Sequence, residues 1–242
     1  MKTIRRYLAK AATQANGVLP QAPVNLVMDT TCFGRKWGVL WSSMTLAASA
    51  ALTVVAIERE TNALYMQALA LLREKGVVIQ SIICDRRSGL LQAFLGIPAQ
   101  MCRFHQIKII VRHLSRKPKS RAAQALRALS LTLTETTQAA FEAALKCWYE
   151  QYAAFLNERS VNEKTGHSRY THRRLRAAYN RLKRHLPWLF TCERFPNLGI
   201  PNTTNLLEGR FSEIKPLLRR HRGLKKESNF WFIKDYFAKN PP

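Results

Sequence analysis

The stretch "VNLVMDTTCFG", residues 24–34, sets an aspartate, Asp29, directly behind an apolar run that includes Val24, Leu26, Val27 and Met28. The chain carries 39 Lys and Arg against 15 acids, and only three of those acids are aspartates. Aspartate opens turns well, so one reading is that a strand simply ends there. The other is that the strand holds the carboxylate as a ligand for a metal ion. What lies downstream bears on the choice. Residues 25–58 contain three short apolar runs with short separations, which predicts antiparallel neighbours. "TNALYMQALALLREKG" then has helical spacing, with Thr61 as N-cap and Gly76 as stop. "VVIQSIICD" returns to a strand and ends on the second aspartate, Asp85. A strand, crossover helix and strand of this length make a parallel pair, so the two aspartate-bearing strand ends can lie side by side.

Further along, "IPAQMCRFHQIKIIVRHL" reads as strand to helix. From Lys119 to about His185 the composition turns to Ala, Leu, Arg and Glu, and the apolar spacing predicts roughly three helices. Pro187, Pro196 and Pro201 mark an irregular connection. "TTNLLEGRFSEIKPLLRRHRG" is a further helix capped by Thr203 or Thr204, and "ESNFWFIKDYFAK" a short aromatic-rich one. The order predicts an α/β fold, a mixed-sheet core interrupted by an all-helical insertion.

The net charge of +24, with a pI near 10.6, creates a long-range positive field suited to a polyanion, above all nucleic acid. The longest apolar run, "MTLAASAALTVVAI", is too short and too polar to span a membrane, and the N-terminus lacks a signal-peptide core. A cytoplasmic protein with no membrane partner is the expectation. Five scattered cysteines without a CxxC pair indicate neither a disulfide framework nor a zinc ribbon, and most are expected to be buried thiols.

Two carboxylates held close repel unless a cation lies between them, and hard oxygen ligands suit Mg²⁺ or Mn²⁺. A third carboxylate would complete a two-metal site. Glu208 is the candidate, flanked by Arg210, Lys215, Arg219, Arg220 and Arg222, whose charges could hold phosphates. Glu213 competes, but five residues away on a helix it points elsewhere. Glu208 can equally be an ordinary surface glutamate.

Taken together, "MDTTCFG", "ICDRRSGL", "CRFH" at 102–105 and "NTTNLLEGRFSEIK" around Glu208 resemble the DDE transposases of bacterial insertion sequences, in the Mutator-like class. The resemblance covers roughly residues 24–225. It implies a ribonuclease H-like core in two parts, 24–118 and 196–242, around a helical insertion at 119–195. Residues 1–23 would be the remnant of an N-terminal DNA-binding region or a linker, in a shortened copy or a piece of a longer protein. It implies that Asp29, Asp85 and Glu208 form the catalytic triad and bind two Mg²⁺ or Mn²⁺ ions. Cys102 and His105 match a near-site C-x-x-H motif, His105 as a contact to DNA or to a carboxylate and Cys102 as packing. The implied activity is metal-dependent cleavage and strand transfer at transposon ends. The partners are double-stranded DNA, both transposon ends and target, and further copies of the chain assembled on it. Arg173 and Arg174 join the basic residues expected to contact DNA, and Trp148 or Trp188 could stack beside it. Two alternatives stand beside this reading: a transposase-derived DNA binder without activity, and a nuclease on the same core.

Overall fold

The computed structural model describes residues 20–34, 37–44, 51–221 and 223–239. Residues 1–19, most of the expected N-terminal remnant, lie outside them, as does Arg222.

Five strands form one sheet: β1 (Val24–Gly34), β2 (Trp37–Met44), β3 (Ala51–Ile57), β4 (Ile79–Cys84) and β5 (Ala99–Met101), in the order β3-β2-β1-β4-β5. β1, β2 and β3 pair antiparallel, while β4 joins β1, and β5 joins β4, in parallel. The sheet is mixed and the fold α/β, as expected. Helix α1 (Asn62–Glu74) makes the crossover from β3 to β4. Thr61 caps it by accepting from the Leu64 amide at 3.3 Å, and Gly76 ends it at φ 83°, a left-handed conformation that glycine adopts without strain. Where β1 and β2 pass, Gly38 is required: a Cβ there would come within 2.6 Å of the Thr31 carbonyl oxygen.

Side-chain parity sorts the central strands between two cores. Leu26, Met28, Leu40, Ile82 and Cys84 face a large cluster shared with α1 and the helices that follow β5. Val27, Val39 and Ile83 face a smaller cluster with Leu207, Phe211, Ile214, Ile233 and Phe237. The latter residues belong to α8 (Asn205–Arg220) and α9 (Lys226–Lys239), the last two helices of the chain. Between α1 and α8 in the chain come α2 (Leu90–Ala93), α3 (Arg103–Leu114), α4 (Arg121–Leu131), α5 (Gln138–Asn157), α6 (Arg173–Leu189) and α7 (Thr191–Arg194).

Four sequence expectations need revision. β1 does not end at Asp29; it continues to Gly34, because β2 pairs with it beyond the point where β4 stops. The expected helical stretch does contain three helices, but α5 and α6 are joined by a small antiparallel hairpin, β6 (Arg159–Val161) and β7 (Ser168–Tyr170), closed around Asn162–Gly166. Pro187 lies inside α6 rather than in a connection, tolerated one turn before the helix ends. Burial of the thiols is also narrower than expected: Cys84 and Cys102 are buried, whereas Cys32 and Cys147 are exposed and Cys192 is half-buried.

Candidate active site and its basic cleft

The parallel pairing of β1 with β4 places Met28 opposite Cys84, so Asp29 and Asp85 follow at adjacent positions just where β4 ends. Both have the parity of Val27 and Ile83, which puts them on the face covered by α8. Glu208 lies in the first turn of α8, where the helix dipole favours a carboxylate. His105 comes from the first turn of α3.

These elements bring four of the expected residues together. Single ligand atoms of Asp29, His105 and Glu208 all lie within 4.8 Å of one another. His105 Nδ1 is 3.9 Å from Asp85 Oδ1, and its Nε2 is 2.9 Å from Glu208 Oε1. The tightest trio thus contains His105 in place of Asp85. Lys108, one turn along α3 from His105, donates to Glu208 Oε2 at 2.5 Å. Glu208 Oε1 is buried and, despite the nearby ring, accepts no aligned hydrogen bond. Glu213 points away, accepting from the Tyr236 hydroxyl at 3.0 Å.

Burial sets the electrostatics. It pushes the Asp29 carboxyl up to about 7, against the pull of His105 and of the Thr30 amide that donates to Oδ1 at 2.8 Å. Burial also raises Asp85, again opposed by His105. For His105 itself burial disfavours the cation, but the Cys102 thiol and the two aspartates outweigh it and hold the ring at about 9. The imidazolium is therefore the internal counter-charge of the acids. A cluster of hard carboxylate oxygens fits a small divalent cation. The residues able to hold one are Asp29, Asp85, Glu208 and His105.

Cys102 is more than packing. Its sulfur accepts from both the backbone N–H and the hydroxyl of Thr204, each at 3.3 Å. Thr204 stands at the N-cap of α8 without making the usual side-chain cap, so its hydroxyl ties the Glu208 helix to α3 instead. The next residue extends the tie: the Arg103 amide donates to the Asn202 carbonyl at 2.9 Å.

Beside the acids opens a cavity of about 430 Å³, lined by Asp85, His105, Lys108, Arg112 and His113 with Arg86 and Arg181. Among the described residues Arg86, Arg112 and Arg181 have no acidic side chain within ion-pair distance. Burial and the charges of Arg181 and Arg184 lower the Arg86 guanidinium, and burial with Arg181, Arg112 and Arg174 lowers His113. Sequence reading missed Arg86, Lys108 and Arg112, although "DRR" directly after Asp85 and the helical spacing His105, Lys108, Arg112 were available as signals. Of the basic residues it did name, Arg174 reaches the cavity's edge, donating to the Arg112 carbonyl at 2.8 Å. Arg173 starts α6, and Lys215, Arg219 and Arg220 lie along α8; none of them lines the cavity. The Arg210 side chain, like Arg222, is outside the described set. Trp148 is unavailable to DNA: it is buried, donates to the Ala122 carbonyl at 3.0 Å and stacks on Tyr179. Trp188 is only half-buried.

Fold and site define an α/β protein with a carboxylate–histidine cluster at the end of a parallel strand pair, opening into a cleft of unpaired cations. Such a cleft belongs to proteins that handle a polyanion. Residues 48–173, just over half of the chain, match the family of Mutator transposases, and the chain belongs to that family. Membership places it among DNA-binding enzymes that cut or transfer DNA. The matched segment includes Asp85, Cys102 and His105, while Asp29 and Glu208 lie on either side of it. No curated protein matches the chain. Among the described residues no helix is long and apolar enough to cross a membrane.

Proposed function

We propose that the chain cleaves DNA at transposon ends and transfers the freed strand to target DNA, with Asp29, Asp85 and Glu208 holding divalent cations. The observation that carries this reading is Glu208, brought from a helix late in the chain to within 4.8 Å of Asp29 and His105, with Asp85 on the other side of the His105 ring. Mg²⁺ or Mn²⁺ bound there, as two ions, would supply Lewis-acid polarisation and a more acidic water. The chain's own residues do the rest. The sheet fixes Asp29 and Asp85, and the Cys102–Thr204 tie fixes the helix of Glu208. His105 and Lys108 set positive charge beside the place where a phosphate would react. Arg86, Arg112 and Arg181 hold the backbone of the strand entering the cleft, by charge rather than by base sequence. The strand order β3-β2-β1-β4-β5, antiparallel on one side and parallel on the other, supports a ribonuclease H-like core. That core would be divided into 24–118 and 196–242 by the insertion at 119–195. Assembly of several copies on DNA completes the reading.

A strand-transfer assay on duplexes carrying the element's terminal inverted repeats, with Mg²⁺, Mn²⁺ or EDTA, tests it. Asp85→Asn is expected to lose on the order of 10³-fold or more in cleavage, while DNA binding in EDTA is kept. Cleavage surviving in both Asp85→Asn and Asp29→Asn would overturn the assignment. Metal-dependent cutting without joining would make the chain a nuclease, and DNA binding without either would make it a binding protein only.

A further inference from the structure

On the far side of Arg86 from the cleft lies a second, smaller hollow of about 160 Å³, between residues 86–92 and the C-terminal half of α6. We propose that this hollow, lined by Arg86, Arg87, Ser88, Arg184, His185 and Trp188, is a subsite for a phosphodiester of the strand engaged at the acids, next to the reacting one. The proposal deepens the reading given under Proposed function and rests on it.

Three observations converge. First, the hollow is walled by three guanidinium groups and a hydroxyl, and no acid lines it. Among the described residues Arg86 and Arg184 have no acidic side chain within ion-pair distance, and Arg87 only grazes Glu60 at 3.9 Å. Guanidinium groups that repel one another are most readily accommodated where an anion sits among them. Second, His185 is buried, and its ring pairs with the Gln106 side-chain amide at 2.7 Å through Nδ1. Its Nε2 is buried without any hydrogen bond, and so is the other end of the Gln106 amide. A buried polar group left over in this way calls for a partner. Burial, with Arg86, Arg181 and Arg184 nearby, pulls His185 down to about 4, so the ring is neutral near pH 7. The Gln106 oxygen faces Nδ1 and accepts from it, which leaves Nε2 an acceptor; turning that amide so that its NH2 group donates to Nδ1 moves the ring proton to Nε2, where it can donate to a phosphate oxygen. Third, Arg86 borders both spaces and follows Asp85 in the chain, so a strand passing Asp85 meets this hollow at a neighbouring phosphate. Its volume suits a phosphate group and excludes a duplex.

The test reads the Trp188 indole and His185 ring resonances by NMR, in EDTA, during titration with inorganic phosphate, a short single-stranded oligothymidylate, or sodium chloride at matched ionic strength. The oligothymidylate is expected to shift both resonances saturably, and chloride is not. Arg184→Ala should weaken that binding at least ~10-fold, and Arg184→Lys should restore it only in part, because lysine keeps the charge and loses the fork. Arg169→Ala, which removes one charge from the exposed β6–β7 hairpin, should weaken it less than ~2-fold. Equal losses in Arg184→Ala and Arg169→Ala, or no saturable shift, would overturn the proposal. So would a shift with inorganic phosphate alone, which would make the hollow a free-anion site. The readout needs neither metal nor cleavage. A saturable shift in a protein inactive in strand transfer would therefore sink the catalytic reading and leave the subsite standing.

Discussion

The two ends of α3 treat arginine in opposite ways. At its start, Arg103 is buried and almost every N–H is used. Nε donates to the Leu189 carbonyl at 2.8 Å, Nη1 to the carbonyls of Leu133 and Thr136 at 2.9 and 3.2 Å, and Nη2 to Glu193 at 2.9 Å. Its guanidinium lies over the Phe190 ring, 4.3 Å from the centroid. Two turns further on, Arg112 faces Arg174, Arg181 and His113 with no acid among them. The same side chain therefore serves structure where its donors are met inside the protein, and waits for an outside anion where they are not. In a chain of net charge +24, counting arginines cannot separate the two; the count of satisfied donors can.

The comparison breaks most easily at Arg103. Arg103→Ala takes the side-chain donor from the Leu133 and Thr136 carbonyls and one of two donors from the Leu189 carbonyl and from Glu193, and is expected to cost about 3–5 kcal/mol in denaturant unfolding. Arg181→Ala should stay within about 0.5 kcal/mol of the parent. Similar losses at both positions would erase the distinction.

A somewhat smaller effect is expected from Asp29. Its folded-state value of about 7 lies above the ordinary 3.8, so between those values the folded chain binds the extra proton. The Asp29 contribution to stability, on the order of 2–4 kcal/mol in EDTA, should accordingly be lost as pH rises through about 4 to 7, with His105 adding a further loss from about 6.5 to 9. Asp29→Asn should flatten that slope when unfolding is measured across the window. An unchanged slope would show that the carboxylate is not held in the buried state described.

The cleft predicts a change in binding rather than in stability. Arg86→Ala combined with Arg181→Ala removes two phosphate partners, so the slope of log affinity against log salt should shrink by roughly 2. Removing two mutually repelling cations should leave the unfolding midpoint level or slightly raised. A normal salt slope in the double variant would mean that the cleft is not the DNA path.

The smallest effect sharpens the role of Cys102. Cys102→Ala removes the acceptor for two Thr204 donors and should cost about 1 kcal/mol, with weaker binding of Mn²⁺ measured by calorimetry. Cys102→Ser, which can still accept, should recover most of both. If alanine binds Mn²⁺ as the parent does, the thiol merely fills space.

Much of the site was legible because it is written in local patterns. Alternating and helical apolar spacing placed Asp29 and Asp85 on strands and Glu208 on a helix, and Thr61 and Gly76 bounded the crossover helix correctly. The parallel pairing of the two aspartate strands followed from the handedness and length of the connection alone. What local pattern could not supply was the partner on the other side of each group. β1 outruns Asp29 because β2 continues to pair with it, and a short hairpin forms between α5 and α6 where helical composition persists. Thr204 looks like a cap but spends its hydroxyl on Cys102, and Lys108 meets Glu208 from a helix far away in sequence. By itself the sequence determined the fold class and the basic character, and it singled out the three acids as candidates, since these depend on residue type and period. Only the tertiary structure decided which cations face the acids, which arginines are satisfied and that the His105 ring stands against the Glu208 carboxylate. Those depend on distances between elements, and no neighbour along the chain encodes them.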